Sequence, residues 1–246
     1  MSANAWYKDW FNSKYYHQLY FQRDEQEAAV FIDRLIAVLQ PSTGCRMLDV
    51  ACGKGRHAIQ LAAKGFEVTG IDLSEESIRE ANQFAGPSLQ FFQHDMRLPF
   101  YCGYFDYAFN FFTSFGYFRT RREHDNALRS ISQSLRPGGK LVLDFLNVSY
   151  AESVTVPLTE QEIDGISYRI KKWHDATHFY KSIEVLDPQQ PQIPIYTEQV
   201  AKFRLDDFEA MFSGHQLHIK QVYGDYLLNH YQEQESSRLI LVAQKV

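Results

Sequence analysis

Residues 48–57 read Leu-Asp-Val-Ala-Cys-Gly-Lys-Gly-Arg-His, and this stretch decides how the chain folds. It joins a short apolar run at 46–51, which we interpret as a buried β-strand, to a helical pattern that begins at Arg56. Gly53 and Gly55 lie between the two, where glycine permits a tight turn and lets a ligand approach the backbone without meeting a Cβ atom. A strand, a glycine turn and a helix in this order predict the ligand-binding edge of an α/β sheet.

Strand and helix patterns alternate with short turns from residue 40 to residue 147. Apolar runs predict the strands, and apolar residues at helical spacing predict the helices. The predicted strands are 46–51, 66–71, 89–93, 105–109 and 141–145, and the predicted helices are 24–39, 56–64, one that starts at Ser74, and 123–135. This alternation predicts a doubly wound, mostly parallel sheet with helices on both faces and a ligand crevice at the carboxyl ends of its strands.

The chain changes character after residue 147. We predict a small antiparallel β insert over 152–204 from three extended patterns, at 166–174, 178–186 and 195–204. A helix at 205–212 and two strands at 217–223 and 238–246 follow it. The last two strands predict an antiparallel C-terminal hairpin that completes a seven-stranded sheet. We therefore expect residues 1–246 to form a single domain that the insert interrupts.

The composition excludes several classes of protein. The chain has 246 residues, 45% of them hydrophobic and 22% charged, which is ordinary globular usage and excludes a disordered chain. A net charge of −5 disfavours nucleic acid as a partner. The three cysteines form neither a metal-spaced set nor a disulfide framework, and no apolar run is long enough to span a bilayer. We expect a cytoplasmic protein, a monomer or homodimer, with no metal and no membrane partner.

Each of the first three predicted strands has an aspartate within it or shortly after it. Asp72 ends the second strand 23 residues after Asp49, and Asp95 follows the third strand another 23 residues on. A carboxylate at the end of the second strand can bond both hydroxyls of a ribose. Asp49, beside the glycine turn, suits a cationic ligand group and would repel a pyrophosphate at the helix N-terminus. S-adenosylmethionine fits these requirements, because it joins an ammonium to a ribose and an adenine without phosphate.

Two alternatives stay open from the residues alone. The Gly53-x-Gly55-x-x-Ala58 pattern fits the dinucleotide fingerprint, so an NAD(P)-dependent Rossmann oxidoreductase is one alternative, although Asp49 and the antiparallel hairpin argue against it. The other is a non-catalytic protein that binds S-adenosylmethionine, because methyl transfer requires no obligatory catalytic side chain.

Five blocks of sequence resemble the class I S-adenosylmethionine-dependent methyltransferases. They run from about residue 31 to residue 147, and the likeness resumes in the closing hairpin. The blocks are Leu-Asp-Val-Ala-Cys-Gly-Lys-Gly at 48–55, Gly-Ile-Asp-Leu-Ser at 70–74, His-Asp-Met-Arg at 94–97, Phe-Asp-Tyr-Ala-Phe-Asn at 105–110 and Leu-Arg-Pro-Gly-Gly-Lys at 135–140. Ala51 stands where the family has the first glycine of its glycine-rich pattern.

The resemblance implies a role for each residue of the cofactor site. The loop that contains Asp49, Ala51, Gly53 and Gly55 wraps the methionine end of S-adenosylmethionine. The other implied contacts are Asp72 with the ribose hydroxyls, Leu73 with the adenine ring, and Asp95 with the adenine amino group, with Met96 beside it.

The acceptor side of the site follows from a weaker likeness to the small-molecule subgroup, which includes glycine/sarcosine-type and aminosugar N-methyltransferases. It implies transfer to a small molecule, at an amine nitrogen, with S-adenosylhomocysteine as the product. Asn110 and Phe111 would face the sulfonium and the acceptor. We expect the remaining pocket residues at 112–117 and at Asn147, Tyr150, Tyr168, Trp173 and Tyr180.

The N-terminal segment, residues 1–23, is rich in aromatic side chains. One hypothesis is that it forms a lid over the cofactor, with Tyr20 and Arg23 reaching the methionine carboxylate, because arginine pairs well with a carboxylate.

Overall fold

A seven-stranded sheet forms the centre of the computed structural model, which describes residues 6–20, 25–190 and 192–246. Five parallel strands have the two C-terminal strands added at one edge, where β11 runs antiparallel to both of its neighbours, and the order is β10-β11-β5-β4-β1-β2-β3. The strands are β1 (Arg46–Val50), β2 (Glu67–Asp72), β3 (Leu89–Gln93), β4 (Phe105–Asn110), β5 (Leu135–Leu146), β10 (Leu217–Tyr223) and β11 (Arg238–Lys245). The predicted α/β fold and its antiparallel C-terminal hairpin are confirmed.

Helices cover both faces of this sheet because each presents one apolar stripe to it. α3 (Glu25–Leu39) and α4 (Arg56–Ala63) share a buried cluster with β1 on one face, whereas α6 (Arg121–Ser134) and α8 (Leu205–Ser213) share another on the opposite face. α5 (Glu75–Ala81) begins where Ser74 caps it by accepting a hydrogen bond from the Ser77 amide. None of the helices in the described part of the chain has the length and apolar character that a membrane crossing needs.

A second sheet of four antiparallel strands lies within residues 152–204. Its order is β6-β7-β8-β9, and its strands are β6 (Leu158–Ile163), β7 (Ile166–His174), β8 (His178–Leu186) and β9 (Tyr196–Ala201). β6 was not predicted, because Leu-Thr-Glu-Gln-Glu-Ile lies on an edge, is largely exposed and lacks apolar alternation. The short helix α7 (Val148–Val154) before it was not predicted either.

The start of β5 also differs from the prediction. The strand begins at Leu135 rather than at residue 141, and residues 136–139 form an irregularity inside it. Phe105 pairs with Leu135 and Tyr107 pairs with Lys140, so the intervening residues bulge out of the ladder. Gly138, at φ +79°, allows this excursion because glycine adopts positive φ without steric cost.

Two short N-terminal helices, α1 (Trp6–Phe11) and α2 (Lys14–Tyr20), pack on the second sheet. Trp10 and Leu19 are buried in one cluster with Tyr168 and Ile183. The Trp10 indole Nε1 donates to Glu198 at 2.7 Å, and the Tyr15 hydroxyl donates to Asp187 at 2.8 Å. These apolar and polar contacts join the N-terminal helices to the insert across more than 170 residues of sequence.

Candidate active site

A cavity of about 380 Å³ lies between the carboxyl ends of the parallel strands and the second sheet. This volume is within the range of small-molecule sites. We call the residues that follow β1, β2 and β3 the floor: Ala51, Gly53, Asp72, Leu73, Asp95 and Met96. We call the residues of the second sheet and of the N-terminal helices the roof: Phe11, Tyr16, Tyr20, Lys172, Trp173, Phe179, Tyr180, Lys181, Glu198 and Val200.

The glycine turn after β1 needs a left-handed backbone at three positions. Ala51, Gly53 and Gly55 have φ of +59°, +56° and +84°. A Cβ on Gly55 would lie 2.6 Å from Cζ of Phe91, so packing as well as conformation requires glycine there. A Cβ on Gly53 would meet nothing within 4 Å, because this residue faces the cavity. The turn therefore offers bare backbone to a ligand.

Asp72 ties this turn to the end of β2. Its Oδ2 accepts a hydrogen bond from the Gly53 amide at 2.8 Å, and its Oδ1 accepts one from the Ser74 amide at 2.8 Å. Burial raises the pKa of this carboxyl, and the two amide bonds partly offset that effect. Each oxygen has a second lone pair, so Asp72 keeps acceptor capacity toward the cavity.

Asp49 lies behind the turn and does not line the cavity. Its side chain is buried, and its Oδ2 accepts no hydrogen bond from the described residues. Burial raises the pKa of Asp49 to about 8, and the neighbouring Asp72 charge adds to this. The Asp49 carboxyl thus lies directly beneath the turn. A cation bound on the cavity side of the turn would stabilise the charged form of Asp49.

Asp95 lies at the cavity with Arg97 bound to it. Nη2 of Arg97 donates to Oδ2 of Asp95 at 2.6 Å, and Nη1 donates to Glu123 at 2.6 Å. Burial raises the pKa of Asp95, but the hydrogen bonds from Arg97 outweigh it, and the net effect is a lowered pKa. Asp95 is therefore charged and fixed in place. The role of Arg97 in orienting Asp95 was not predicted.

The structure contradicts the expectation for Asn110 and Phe111, because neither lines the cavity. Nδ2 of Asn110 donates to the Val50 carbonyl at 2.9 Å, which joins β4 to β1. Phe111 is buried against Phe31 and His57, with ring centroids 5.3 and 4.8 Å away. The chain turns toward the cavity one residue later than expected, and residues 112–114 line it instead.

A buried network that sequence reasoning missed holds this turn. Phe112 and Thr113 have φ of +57° and +59°. The Phe112 amide donates to Asp144 Oδ2 at 2.8 Å, while Arg238 donates to Asp144 at 2.7 Å and to Thr113 Oγ1 at 2.9 Å. An aspartate inside the apolar strand Leu-Val-Leu-Asp-Phe-Leu was the only sequence signal for it.

The aromatic expectations for the pocket are partly met. Tyr117, Trp173 and Tyr180 line the cavity, and the last two stack across β7 and β8 at 5.3 Å. Tyr168 does not line it, because this ring is buried under α2 and its hydroxyl bonds Gln18. Asn147 and Tyr150 do not line it either, and Nδ2 of Asn147 donates to the Glu233 and Ser236 carbonyls.

Tyr20, one of the two residues of the lid hypothesis, lines the cavity. Its hydroxyl donates to Glu198 at 2.8 Å, and burial raises its pKa well above the usual value. Arg23, the other residue, lies outside the described residues.

Comparison with known proteins gives consistent matches. A methyltransferase domain model matches residues 47–139. YqeM of Bacillus subtilis, a protein assigned as a methyltransferase, is 33% identical over 217 residues, which are 81% of this chain and 84% of that protein. Two relatives match over about half their length. Rat glycine N-methyltransferase is 31% identical over 54% of this chain and 51% of its own. O-methyltransferase resE of Aspergillus sclerotiorum is 37% identical over 44% of this chain and 42% of its own.

Solved structures share the fold. An S-adenosylmethionine-dependent methyltransferase from Clostridium acetobutylicum superposes with a TM-score of 0.78 at 18% identity, over 94% of this chain and 96% of its own. CalS10, an amino pentose methyltransferase from Micromonospora echinaspora solved with S-adenosylmethionine bound, has a TM-score of 0.70 at 21% identity, over 95% of this chain and 98% of its own.

Proposed function

The chain belongs to the class I S-adenosylmethionine-dependent methyltransferases, and we propose that it methylates an amine nitrogen of a small molecule bound under the roof. One observation carries the proposal. A single cavity has the glycine turn and Asp72 on one side and aromatic rings of the insert on the other. Family membership favours a methyltransferase over the oxidoreductase alternative and over a non-catalytic binding protein.

The floor fits S-adenosylmethionine. Gly53 leaves open space where a ligand can approach the backbone, and next to that turn Asp49 has a buried oxygen that accepts no hydrogen bond from the described part of the chain. We assign the turn at 49–55 to the methionine end and Asp72 to the ribose hydroxyls. Leu73 and Met96 line the adenine side, and we assign Asp95, which Arg97 holds in place there, to the adenine amino group.

The chemistry asks little of the protein. S-adenosylmethionine, when bound, supplies a sulfonium methyl that is already activated for displacement by a nucleophile. The residues of this chain therefore need to bind the acceptor, align it and exclude water. The roof serves all three purposes if 152–204 covers the acceptor and residues 1–23 act as a lid over the cofactor, as we propose.

An amine suits this cavity better than a hydroxyl. A hydroxyl acceptor profits from a base that removes its proton, whereas a neutral amine needs none. Each carboxylate that lines the cavity already accepts hydrogen bonds: Asp72 from backbone amides, Asp95 from Arg97, and Glu198 from Trp10 and Tyr20. The aromatic rings of the roof also attract a cationic amine on its way in.

Calorimetric titration with S-adenosylmethionine, S-adenosylhomocysteine and NADH tests the cofactor. We expect binding of the adenosyl pair alone. Asp72→Asn should weaken it by about tenfold or more through loss of a charge-assisted hydrogen bond, and Glu209→Gln, an exposed change on α8, should not. Binding of NADH alone would contradict the assignment.

Release of S-adenosylhomocysteine in the presence of amine, phenol and carboxylate panels tests the acceptor. Turnover of amines is the expected result. Turnover of phenols alone would assign O-methylation, as the resE likeness allows, and binding without any turnover would favour a non-catalytic role.

A further inference from the structure

Two lysines of the roof lie next to each other on neighbouring strands, where their like charges do not stabilise the fold. Lys172 in β7 lies directly opposite Lys181 in β8, and both side chains line the cavity. Directly opposed residues of an antiparallel pair project from the same face, and like charges in this position destabilise the sheet. Such an arrangement is expected where a ligand, rather than the protein, supplies the compensating charge.

Only one of these charges is compensated by the protein. Lys181 lies opposite Glu198 in β9, with Nζ 3.9 Å from Glu198 Oε2, and it contacts the Tyr20 hydroxyl. The other oxygen, Oε1, accepts hydrogen bonds from Trp10 and Tyr20. Within the described ranges of the chain, Lys172 has no ion-pair or hydrogen-bond partner for its ammonium. The row of three charges across β7, β8 and β9 therefore has a net charge of +1.

The two sides of the cavity thus differ in sign. The floor has the Asp72 carboxylate, and the roof has the lysine pair. The stacked rings of Trp173 and Tyr180 occupy the next positions along the same two strands and therefore project from the opposite face of the sheet. A ligand bound at the lysine pair would contact the face that carries the two ammonium groups.

We propose that the lysine pair binds an anionic group, a carboxylate or a phosphate, of the methyl acceptor. This inference rests on the proposed function and deepens it, because it predicts an acceptor that carries both an amine and an anion. The methionine carboxylate of the cofactor is the other possible source of such an anion. We assign the anion to the acceptor because both lysines lie in the insert, which we propose covers the acceptor, whereas the glycine turn assigned to the methionine end is on the floor.

The experiment measures binding of three probes to protein saturated with S-adenosylhomocysteine: benzoate, the neutral isostere benzamide, and inorganic pyrophosphate. We expect benzoate to bind about tenfold more tightly than benzamide, the contribution of one charge-assisted hydrogen bond. Lys172→Met should abolish this difference. Lys171→Met is the matched control, because this exposed lysine neighbours Lys172 in β7 but does not line the cavity. Tighter binding of pyrophosphate than of benzoate would assign a phosphate, and the reverse a carboxylate.

Three outcomes would overturn the inference alone: equal binding of benzoate and benzamide to the wild type, no binding of either anion, or weakened S-adenosylhomocysteine binding by Lys172→Met with anion selectivity unchanged. The last result would show that the lysines bind the cofactor rather than the acceptor. If S-adenosylhomocysteine itself does not bind the wild type, the proposed function fails, and the inference fails with it.

Thermal unfolding without ligand gives an independent measurement. Because Lys172 repels Lys181, Lys172→Met should raise the midpoint of unfolding while it lowers anion binding. A lysine with a purely structural role would not move these two quantities in opposite directions.

Discussion

The floor and the roof of the cavity are built in different ways. The floor comes from residues 51–96, and its shape is set by backbone: three left-handed residues, two amides bound to Asp72 and a carboxyl buried behind them. The roof comes from two N-terminal helices and three strands of the insert, and it is set by side chains that meet across large distances in sequence. Substitutions in the floor should therefore disturb the backbone, whereas substitutions in the roof can change which ligand binds without changing the fold.

The largest difference between the two regions should appear when the backbone of the floor is disturbed. In Gly55→Ala the added Cβ would meet Phe91 at 2.6 Å in a residue at φ +84°. We expect a loss of about 3 kcal/mol of unfolding free energy from strain and overpacking together. Thermal and denaturant unfolding, with S-adenosylhomocysteine titration of the folded fraction, measure the effect.

Gly44→Ala is the matched control for this change. Gly44 has φ +74°, but its Cβ would meet nothing within 4 Å, so only the conformational strain of about 1 kcal/mol remains. Equal losses in the two variants would show that close packing at the turn contributes nothing.

The same contrast explains what could be predicted from the sequence. The parallel sheet, the glycine turn and the positions of Asp72 and Asp95 at one edge of it follow from local patterns, because parallel strands bring their carboxyl ends to one edge. Phe111 was misplaced because the turn after β4 depends on Asp144 and Arg238, which lie far along the chain. β6 was missed because an exposed edge strand needs no apolar alternation. The contacts of Trp10 and Tyr15 with the insert have no local signal at all.

The turn beneath the floor and the insert that carries the roof should also respond to pH with opposite sign. Burial raises the pKa of Asp49 to about 8 in the folded protein, so the folded state binds the proton more tightly than the unfolded state does. Stability of the ligand-free protein should therefore fall as pH rises from about 4 to about 8. Asp49→Asn should remove this dependence and stabilise the protein at pH 8, while it weakens binding of S-adenosylmethionine.

Asp187 provides the comparison in the insert. The Gln189 amide and the Tyr15 hydroxyl lower the pKa of Asp187, so its contribution is present above the unfolded pKa and is lost as pH falls through the folded one. Denaturant unfolding between pH 3 and pH 9 for Asp49→Asn and Asp187→Asn measures both slopes. Slopes of the same sign would contradict the assignment of the two carboxyls to different environments.

A smaller effect is expected when one side-chain contact of the roof is removed. Trp10→Phe keeps a buried ring but removes the Nε1 donor to Glu198. We expect about 1–2 kcal/mol less protection of the N-terminal helices, the contribution of one hydrogen bond to a buried carboxylate oxygen that keeps its second bond from Tyr20. Hydrogen exchange of residues 6–20 should increase while that of β1, β2 and β4 stays unchanged.

Trp173→Phe is the control for that experiment, because Trp173 is half exposed and makes no bond to the N-terminal helices among the described contacts. It should leave the exchange of residues 6–20 unchanged. If exchange increased in the parallel strands as well, the roof would not be an independent unit, and the contrast between the two regions would fail.

The smallest expected effect comes from Ala51→Gly, which tests whether the floor binds its ligand through backbone atoms alone. Ala51 adopts φ +59°, a conformation that costs a residue with a Cβ about 1 kcal/mol, at the position where the family has glycine. Ala51→Gly should therefore raise the unfolding free energy by up to about 1 kcal/mol, less the greater entropy of glycine in the unfolded chain. Gln216→Gly, at the same φ outside the cavity, should give a similar gain. If the floor acts through its backbone, the Kd of S-adenosylhomocysteine should be the same in Ala51→Gly and the wild type, whereas a marked change would mean that the methyl group of Ala51 itself contacts the ligand.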